Sequence, residues 1–366
     1  MIMRKSKSYI GANLTHDASI CQVTDGHIDW FIEEERFSKV KHDKFPFTSI
    51  MESDLAKDLH NMIQISGLYE PHKKDELTEY SKLFTSLCQK KYSSTIAVGP
   101  HEDIEYEYYL QHHDFHAACG FYNSGFPRAA VLVVDGMGNP LDDSPTMHEV
   151  ETIYTLSYPQ QFKKHSVNVT PTYLDVHTVP HLCFGIGMIY QSLANYFGFG
   201  DFGSGKLMGL SAYGEEDSSI ESFFDGTLNT DIFFRSRFGL TFIPYDYVRY
   251  PNGVTRFSDI DSKDIKQRFA NLAYRVQKDF ENYMITLILK TLEITGEKNL
   301  VLTGGCALNC VANYEYLKHL PEDVKLYVEP ISTDAGVSVG LAKINYYSAT
   351  KSTSRHPLKT LYLGRS

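Results

Sequence analysis

The segment Gln111-His112-His113-Asp114-Phe115-His116-Ala117-Ala118 places two imidazoles, His112 and His116, four residues apart. On a helix that spacing puts both rings on one face, where they either chelate a metal ion or line a wet surface. His113 occupies the position at which a zinc-peptidase helix carries Glu, so peptidase chemistry is disfavoured. Asp135 ends an apolar run, where a carboxylate is costly unless it is paired, ligating or part of a turn. Asp334, between Pro330-Ile331-Ser332-Thr333 and Ala335-Gly336, has the local signature of a helix N-cap. In Thr303-Gly304-Gly305-Cys306-Ala307-Leu308-Asn309, small residues allow backbone N–H groups to approach a phosphate at a helix start, or simply make a turn.

Two further stretches are dense in function-capable residues. One is His16-Asp17, followed by Glu33-Glu34-Glu35-Arg36-Phe37 and Lys41-His42-Asp43; its plainest reading is a solvated charge run. The other is Gly203-Ser204-Gly205-Lys206-Leu207-Met208-Gly209-Leu210, which lacks phosphate-loop spacing and reads as a flexible turn with one Lys.

The elements that must carry these residues are readable from periodicity. Ser8–Leu14 is expected as a strand, and Asp25-Gly26 as a hairpin turn into Ile28–Ile32. Asp75–Tyr92 has helical periodicity, and Ala129–Val134 and Glu149–Tyr158 read as strands. A long helix runs from Ser262, its N-cap, to Ile294, with Ile265, Phe269, Leu272, Val276, Phe280, Tyr283 and Leu287 on one face and Gly296 as its stop. Leu300–Leu302 is a strand feeding a helix from about Ala307, and Leu326–Val328 another feeding a helix over Gly336–Tyr347. The buried strand and Asp-bearing turn at 129–135 repeat the opening plan, which points to an internally duplicated α/β protein with its site between the halves. Residues 250–262 and 348–358 are the most linker-like.

Composition sets limits on what this chemistry can serve. The 366 residues are 42% hydrophobic and 22% charged, an ordinary globular make-up. A net charge of −10 disfavours a broad basic nucleic-acid surface. The six cysteines, Cys21, Cys88, Cys119, Cys183, Cys306 and Cys310, never form CxxC and read as buried reduced thiols. No apolar segment follows Met1, and the longest apolar run is far short of the ~20 residues needed to span a bilayer. A cytoplasmic protein without membrane association is expected.

Taken together and in order, these motifs resemble the O-carbamoyltransferases of nodulation-factor and antibiotic biosynthesis. The matching stretches are His16-Asp17-Ala18-Ser19, Glu33–Asp43, His112–Phe126, Val131–Gly138, Gly203–Gly214, Leu302–Asn313 and Asp334-Ala335-Gly336. The resemblance implies the duplicated actin/hexokinase-like (ASKHA) α/β fold, shared with the metalloprotein that makes threonylcarbamoyl-adenosine in tRNA. It divides the chain into an amino-terminal lobe (1–128), a carboxy-terminal lobe (129–347) and a tail (348–366), with a metal–nucleotide cleft between the lobes. It further implies His112, His116, Asp135 and Asp334 as ligands of a divalent metal, iron(II) foremost, with Zn or Mn as alternatives that suit the same donors. His16 becomes a candidate general base with Asp17 beside it, Lys41 and Lys206 offset phosphate charge, and Gly304, Gly305 and Asn309 contact the adenylate. Family members usually carry Glu where Ser204 stands and Ala-Pro where Ser211-Ala212 stands.

The implied reaction moves a carbamoyl group from carbamoyl-adenylate to a hydroxyl of a small molecule or a modified nucleotide. Family members continue into a second domain resembling threonylcarbamoyl-AMP synthases, which forms carbamoyl-adenylate from ATP and carbamoyl phosphate. The sequence stops about where that domain begins, so the activating domain or subunit is an expected partner, and a homodimer is an open possibility. A threonylcarbamoyl-type transferase on tRNA, a kinase of the same superfold and a non-catalytic nucleotide-binding subunit are the rival readings. The HxxxH pair argues against the kinase.

Overall fold

Asp-Gly between two apolar runs specifies a tight hairpin, and the amino-terminal segment folds accordingly. In the computed structural model, β1 (Ser8–Asn13), β2 (Ser19–Thr24) and β3 (His27–Glu33) form an antiparallel meander, with Asp25 and Gly26 both at positive φ in the turn. The structure describes residues 8–13, 16–44, 46, 48–49, 62–66, 95–98, 112–138, 140–141, 144–171, 185–228, 234–236, 248–251 and 253–364. The helix expected over Asp75–Tyr92 lies outside them. A short helix, α1 (Glu35–Ser38), follows the meander. The strand β4 (Met62–Ser66) pairs parallel to β1, and β5 (Thr95–Val98) antiparallel to β4, for a strand order β3-β2-β1-β4-β5.

The second sheet has the same plan. After α2 (His112–Ser124), β6 (Arg128–Val134) pairs antiparallel with the long β8 (Ser144–Ser157), which also pairs with the two-residue β7 (Pro140–Leu141) and with β9 (Gln161–Pro171). On its other edge β6 pairs parallel to β12 (Asn299–Thr303), and β12 parallel to β13 (Lys325–Val328). With β7 set aside, both sheets run third-second-first-fourth-fifth, and they differ only in the direction of the last strand. That repeated order is the duplication expected from the Asp-bearing turns, and it is the actin/hexokinase-like fold.

Between β9 and β12 the chain forms α3 (Ile186–Tyr196), α4 (Ser204–Ser211), the β10 (Phe224–Leu228)–β11 (Phe234–Ser236) pair and the 33-residue α5 (Lys263–Thr295). The Ser262 side chain accepts from the Ile265 N–H and Gly296 ends α5 in the left-handed conformation, as the cap signals predict. Two expectations are corrected. The Gly203–Leu210 stretch is helical, as α4, because Leu207 is buried and anchors a turn of helix there. The helix expected from Ala307 begins later: Gly305–Leu308 is a 3₁₀ turn, and α6 (Cys310–Tyr316) starts after Asn309, whose side chain accepts from the Ala312 N–H.

The apolar run of β6 is buried on both faces, as its lack of alternation implies. Ala130, Leu132 and Val134 face a core built on α3 and α5. Ala129, Val131 and Val133 face a second core containing α2 and α7 (Ala335–Thr350). These two helices lie between the sheets: α7 packs on β1, β2 and β4, and α2 on β6 and β12. The contact between them is backbone-close at Gly340, where an added Cβ would overlap the Phe115 carbonyl oxygen. The 348–358 stretch is docked, with the Leu358 N–H donating to the Asn123 carbonyl (2.9 Å) and buried Lys343 donating to the His356 carbonyl (3.1 Å). Among the described cysteines, Cys21 and Cys119 are buried, Cys306 is half-buried and Cys310, at the outer start of α6, is exposed; all four are free. No described helix is long and apolar enough to cross a membrane.

Candidate functional site

Helical spacing at the start of α2 delivers His112 and His116 to one point. Their Nε2 atoms stand 2.9 Å apart. Asp135 reaches the same point from the end of β6, its Oδ2 3.3 Å from His112 Nε2 and 3.9 Å from His116 Nε2. Asp334 arrives from the other direction at the head of α7, its Oδ1 3.3 Å and 3.6 Å from the same two nitrogens. Asp334 sits at the N-cap position of α7, yet its side chain makes no cap hydrogen bond. Its carboxylate is turned to the histidines instead, which overrules the local N-cap signature.

All four side chains are buried, and their ligand atoms lie within 4.8 Å of one another. At most one proton fits between two facing imidazole nitrogens, so the remaining lone pairs and both carboxylates converge on a space that a cation satisfies. Burial opposes charge on His112, but the Asp334 carboxylate and hydrogen bonds to both aspartates outweigh it and hold His112 well above the ordinary histidine range. Burial likewise acts to raise Asp135 and Asp334, and the neighbouring imidazoles overcome it and hold both below the usual carboxylate range. The field that favours positive charge here also favours a divalent ion. Two nitrogens and two oxygens form a donor set suited to a borderline metal, so the residues fit the implied group and this is a possible metal site.

The β1–β2 turn brings a second set of polar groups to the rim. Buried Asn13 holds the turn by donating to the His16 and Asp17 carbonyls (3.2 and 3.3 Å). His16 Nε2 lies 3.3 Å from Asp334 Oδ2, and its Nδ1 lies 3.2 Å from Asp17 Oδ2. Burial acts to lower the His16 pKa, and Asp17, Asp334 and Asp135 raise it above the ordinary value. His42, unassigned by the sequence reading, pairs its Nδ1 with Asp17 Oδ1 at 2.6 Å and stacks on Phe202 at 4.0 Å. The charge run before it is solvated only in part: Arg36 and Lys41 are exposed, while its glutamates are drawn inward. Glu34 is 2% exposed and accepts from the Thr48 and Ser49 N–H groups, and Glu35 accepts from the His42 N–H.

A cavity of about 530 Å³ opens beside the four ligands, with Asp135, Asp334, His16, Asp17, Gly305 and Asn309 in its wall. Gly304 is at φ +88°, and a Cβ there would overlap the Val134 backbone; only glycine lets this loop lie so close to the end of β6. The Gly305 N–H donates to Asp135 Oδ1 (2.9 Å), which ties the loop to the cluster. Asn309 is held by reciprocal bonds with Gln277 (2.9 and 3.2 Å), and Gln277 Oε1 also accepts from the Tyr190 hydroxyl (2.8 Å). Sequence reading missed Gln277 and Tyr190, because a lone polar residue on the buried face of α5 carries no local signal. Lys41 and Lys206 are both exposed, and neither lines the cavity. The structure therefore brings together every sequence-selected site residue except those two lysines.

Known proteins share this chain's sequence pattern and fold. The family model for the carbamoyltransferase N-terminus matches residues 57–343. Protein sll1178 of Synechocystis sp. is 28% identical over 367 residues, covering 89% of this chain and 55% of its own length. The nodulation protein NolNO of Sinorhizobium fredii is 24% identical over 372 residues, covering 95% and 49%. The nodulation protein NolO of Bradyrhizobium diazoefficiens is 25% identical over 265 residues, covering 70% and 41%. The chain thus spans about half the length of the curated relatives it matches. In fold it resembles full-length HypF in the phosphate- and nucleotide-bound form, with a TM-score of 0.53 at 11% identity, covering 93% of this chain and 56% of that one. With its motifs, its duplicated α/β fold and a family match over most of its length, the chain belongs to the carbamoyltransferase N-terminus family.

Proposed function

We propose that this chain is the transferase part of an O-carbamoyltransferase, moving a carbamoyl group from carbamoyl-adenylate to a hydroxyl of a small molecule or modified nucleotide. The observation that carries the reading is the convergence of two imidazoles and two carboxylates beside a cavity whose wall includes Asp135, Asp334 and Gly305. In the transfer, the acceptor oxygen bonds to the carbamoyl carbon, the bond from that carbon to the adenylate phosphate oxygen breaks, and AMP leaves. His16, at the cavity rim beside Asp17, takes the hydroxyl proton. The Gly304-Gly305 loop, whose Gly305 N–H is taken up by Asp135, lets the adenylate lie close to the backbone, and Asn309 orients the nucleotide. His112, His116, Asp135 and Asp334 would hold a divalent metal, iron(II) by the family resemblance, with Zn or Mn equally suited to the donors. Such an ion acts as a Lewis acid that polarises a carbonyl or phosphate oxygen.

The relatives' additional length supports an activating domain or subunit that supplies carbamoyl-adenylate. The exposed Lys41 and Lys206 are free to meet phosphate only if such a partner or the nucleotide itself extends beyond the cavity. Nucleotide binding is supported by the fold shared with a nucleotide-bound HypF.

Metal analysis of the purified chain and of His112→Ala, together with AMP release from synthetic carbamoyl-adenylate across a panel of hydroxyl acceptors, tests the reading. About one equivalent of metal, lost in the variant, and acceptor-dependent AMP release are expected. Equal metal content in both proteins overturns the ligand assignment; AMP release that no acceptor accelerates overturns the transfer.

A further inference from the structure

Two residues other than glycine adopt the left-handed backbone conformation at the rim of the cavity: Asp17 at φ +58° and His42 at φ +57°. Residues held there against their usual preference cluster where a site needs them. The two are bonded to each other, through His42 Nδ1 and Asp17 Oδ1 (2.6 Å), and the other oxygen of Asp17 meets His16 Nδ1 at 3.2 Å. A chain His42–Asp17–His16 therefore ends at a ring whose second nitrogen points toward the metal cluster. Phe202, from the loop before α4, closes the chain from outside. Its ring stacks on His42 with an 18° interplanar angle and tilts against His16 at 5.0 Å. His42 is itself held by the bond from its N–H to Glu35.

We infer that His42 is a positioning residue for the transfer: by clamping Asp17 it fixes which nitrogen of His16 carries a hydrogen and which faces the acceptor. This rests on the reading of His16 as the group that takes the acceptor proton. An aspartate bonded only to His16 can rotate about its side-chain torsions; one whose second oxygen is occupied cannot turn without breaking a short bond. With Nδ1 directed to Asp17, Nε2 is turned toward Asp334 and the cavity. The sequence Glu33–His42 is then explained as a unit, since its carboxylates build the turn that presents His42.

The test separates the hydrogen bond from the ring stack and from folding. His42→Asn keeps an amide donor near the Nδ1 position, and Asn tolerates the left-handed backbone. His42→Phe keeps a ring for Phe202 and removes the donor. Histidine-labelled, zinc-loaded full chain is examined by nitrogen-15 NMR, with His16 assigned by its loss in His16→Gln. Steady-state kinetics with carbamoyl-adenylate and a productive acceptor run in parallel. Wild type and His42→Asn are expected to show one fixed His16 tautomer and kcat within about threefold of each other. His42→Phe is expected to show averaged His16 nitrogen shifts and a kcat lowered roughly 10- to 100-fold, with the KM for the donor within about twofold. A fixed tautomer in His42→Phe, or His42→Asn behaving like His42→Phe in both readouts, overturns the assignment. If the NMR result is as expected while His16→Gln retains full kcat, the positioning of His16 stands and its role as base falls.

Discussion

Gly340 of α7 lies against the Phe115 carbonyl of α2, with no room for a side chain between the two backbones. This one close approach sets the distance between the helix that carries His112 and His116 and the helix headed by Asp334. The spacing of the four candidate ligands thus runs through a residue that contributes no donor atom.

Gly340→Ala is therefore expected to push α2 and α7 apart. Overpacking of this kind costs about 1–3 kcal/mol. Thermal unfolding and metal content should both fall, the second further than in a variant of equal stability altered elsewhere. Wild-type metal content in a destabilised Gly340→Ala would show that the helix contact does not set the ligand geometry.

Removal of the metal should destabilise the fold, because a ligand that binds only the folded state adds stability by mass action. At a free concentration 100 times its dissociation constant that contribution is about 2.7 kcal/mol. A chelator is expected to lower the melting temperature by on the order of 5 °C, and to leave His112→Ala unchanged. Equal chelator shifts in both proteins would place the bound ion elsewhere.

Glu329 is fully buried at the end of β13, and burial, against the bond from the Ile331 N–H, lifts its carboxyl from 4.5 to about 7. A carboxyl whose folded pKa exceeds its unfolded value binds its proton more tightly when folded. Its favourable contribution is complete below pH 4.5 and is lost as pH rises to about 7, at a cost of roughly 3 kcal/mol. Glu329→Gln should flatten the fall in stability between pH 5 and 8 (~3 kcal/mol at most by the same linkage). Denaturant midpoints at a series of pH values check this, and parallel pH profiles for the two proteins would refute it.

Gln277 serves both Asn309 and Tyr190 from the buried face of α5. In Gln277→Leu both partners lose their bond, at about 1–3 kcal/mol. Calorimetric titration with AMP should show weaker binding, since Asn309 then keeps the bond from the Ala312 N–H but loses both to Gln277. An unaltered AMP affinity in the folded variant would remove Asn309 from the nucleotide site.

Local signals carried much of this molecule. Ser262 and Gly296 bracket α5 as their types require, Asp25-Gly26 turns the hairpin, and the unbroken apolar run of β6 announces a strand covered on both faces. Local signals also misled. Asp334 has the composition of an N-cap and caps nothing, because the two imidazoles of α2 offer its carboxylate stronger partners than its own backbone does. Glu34 reads as a solvated charge and is buried, because the folded turn presents it with the Thr48 and Ser49 N–H groups.

The sequence by itself determined the amino-terminal hairpin, β6, α5 and α7, the helical register that pairs His112 with His116, and, through the order of its motifs, the family. Each of these depends on neighbours within a few positions or on a pattern along the chain. Only the tertiary structure decided that Asp135, Asp334 and His16 share one point, that His42 and Phe202 close over Asp17, and that Lys41 and Lys206 stand outside the cavity. Those relations follow from strand order, from the crossing of α2 and α7 and from the space a glycine leaves between them, none of which has a period in the sequence.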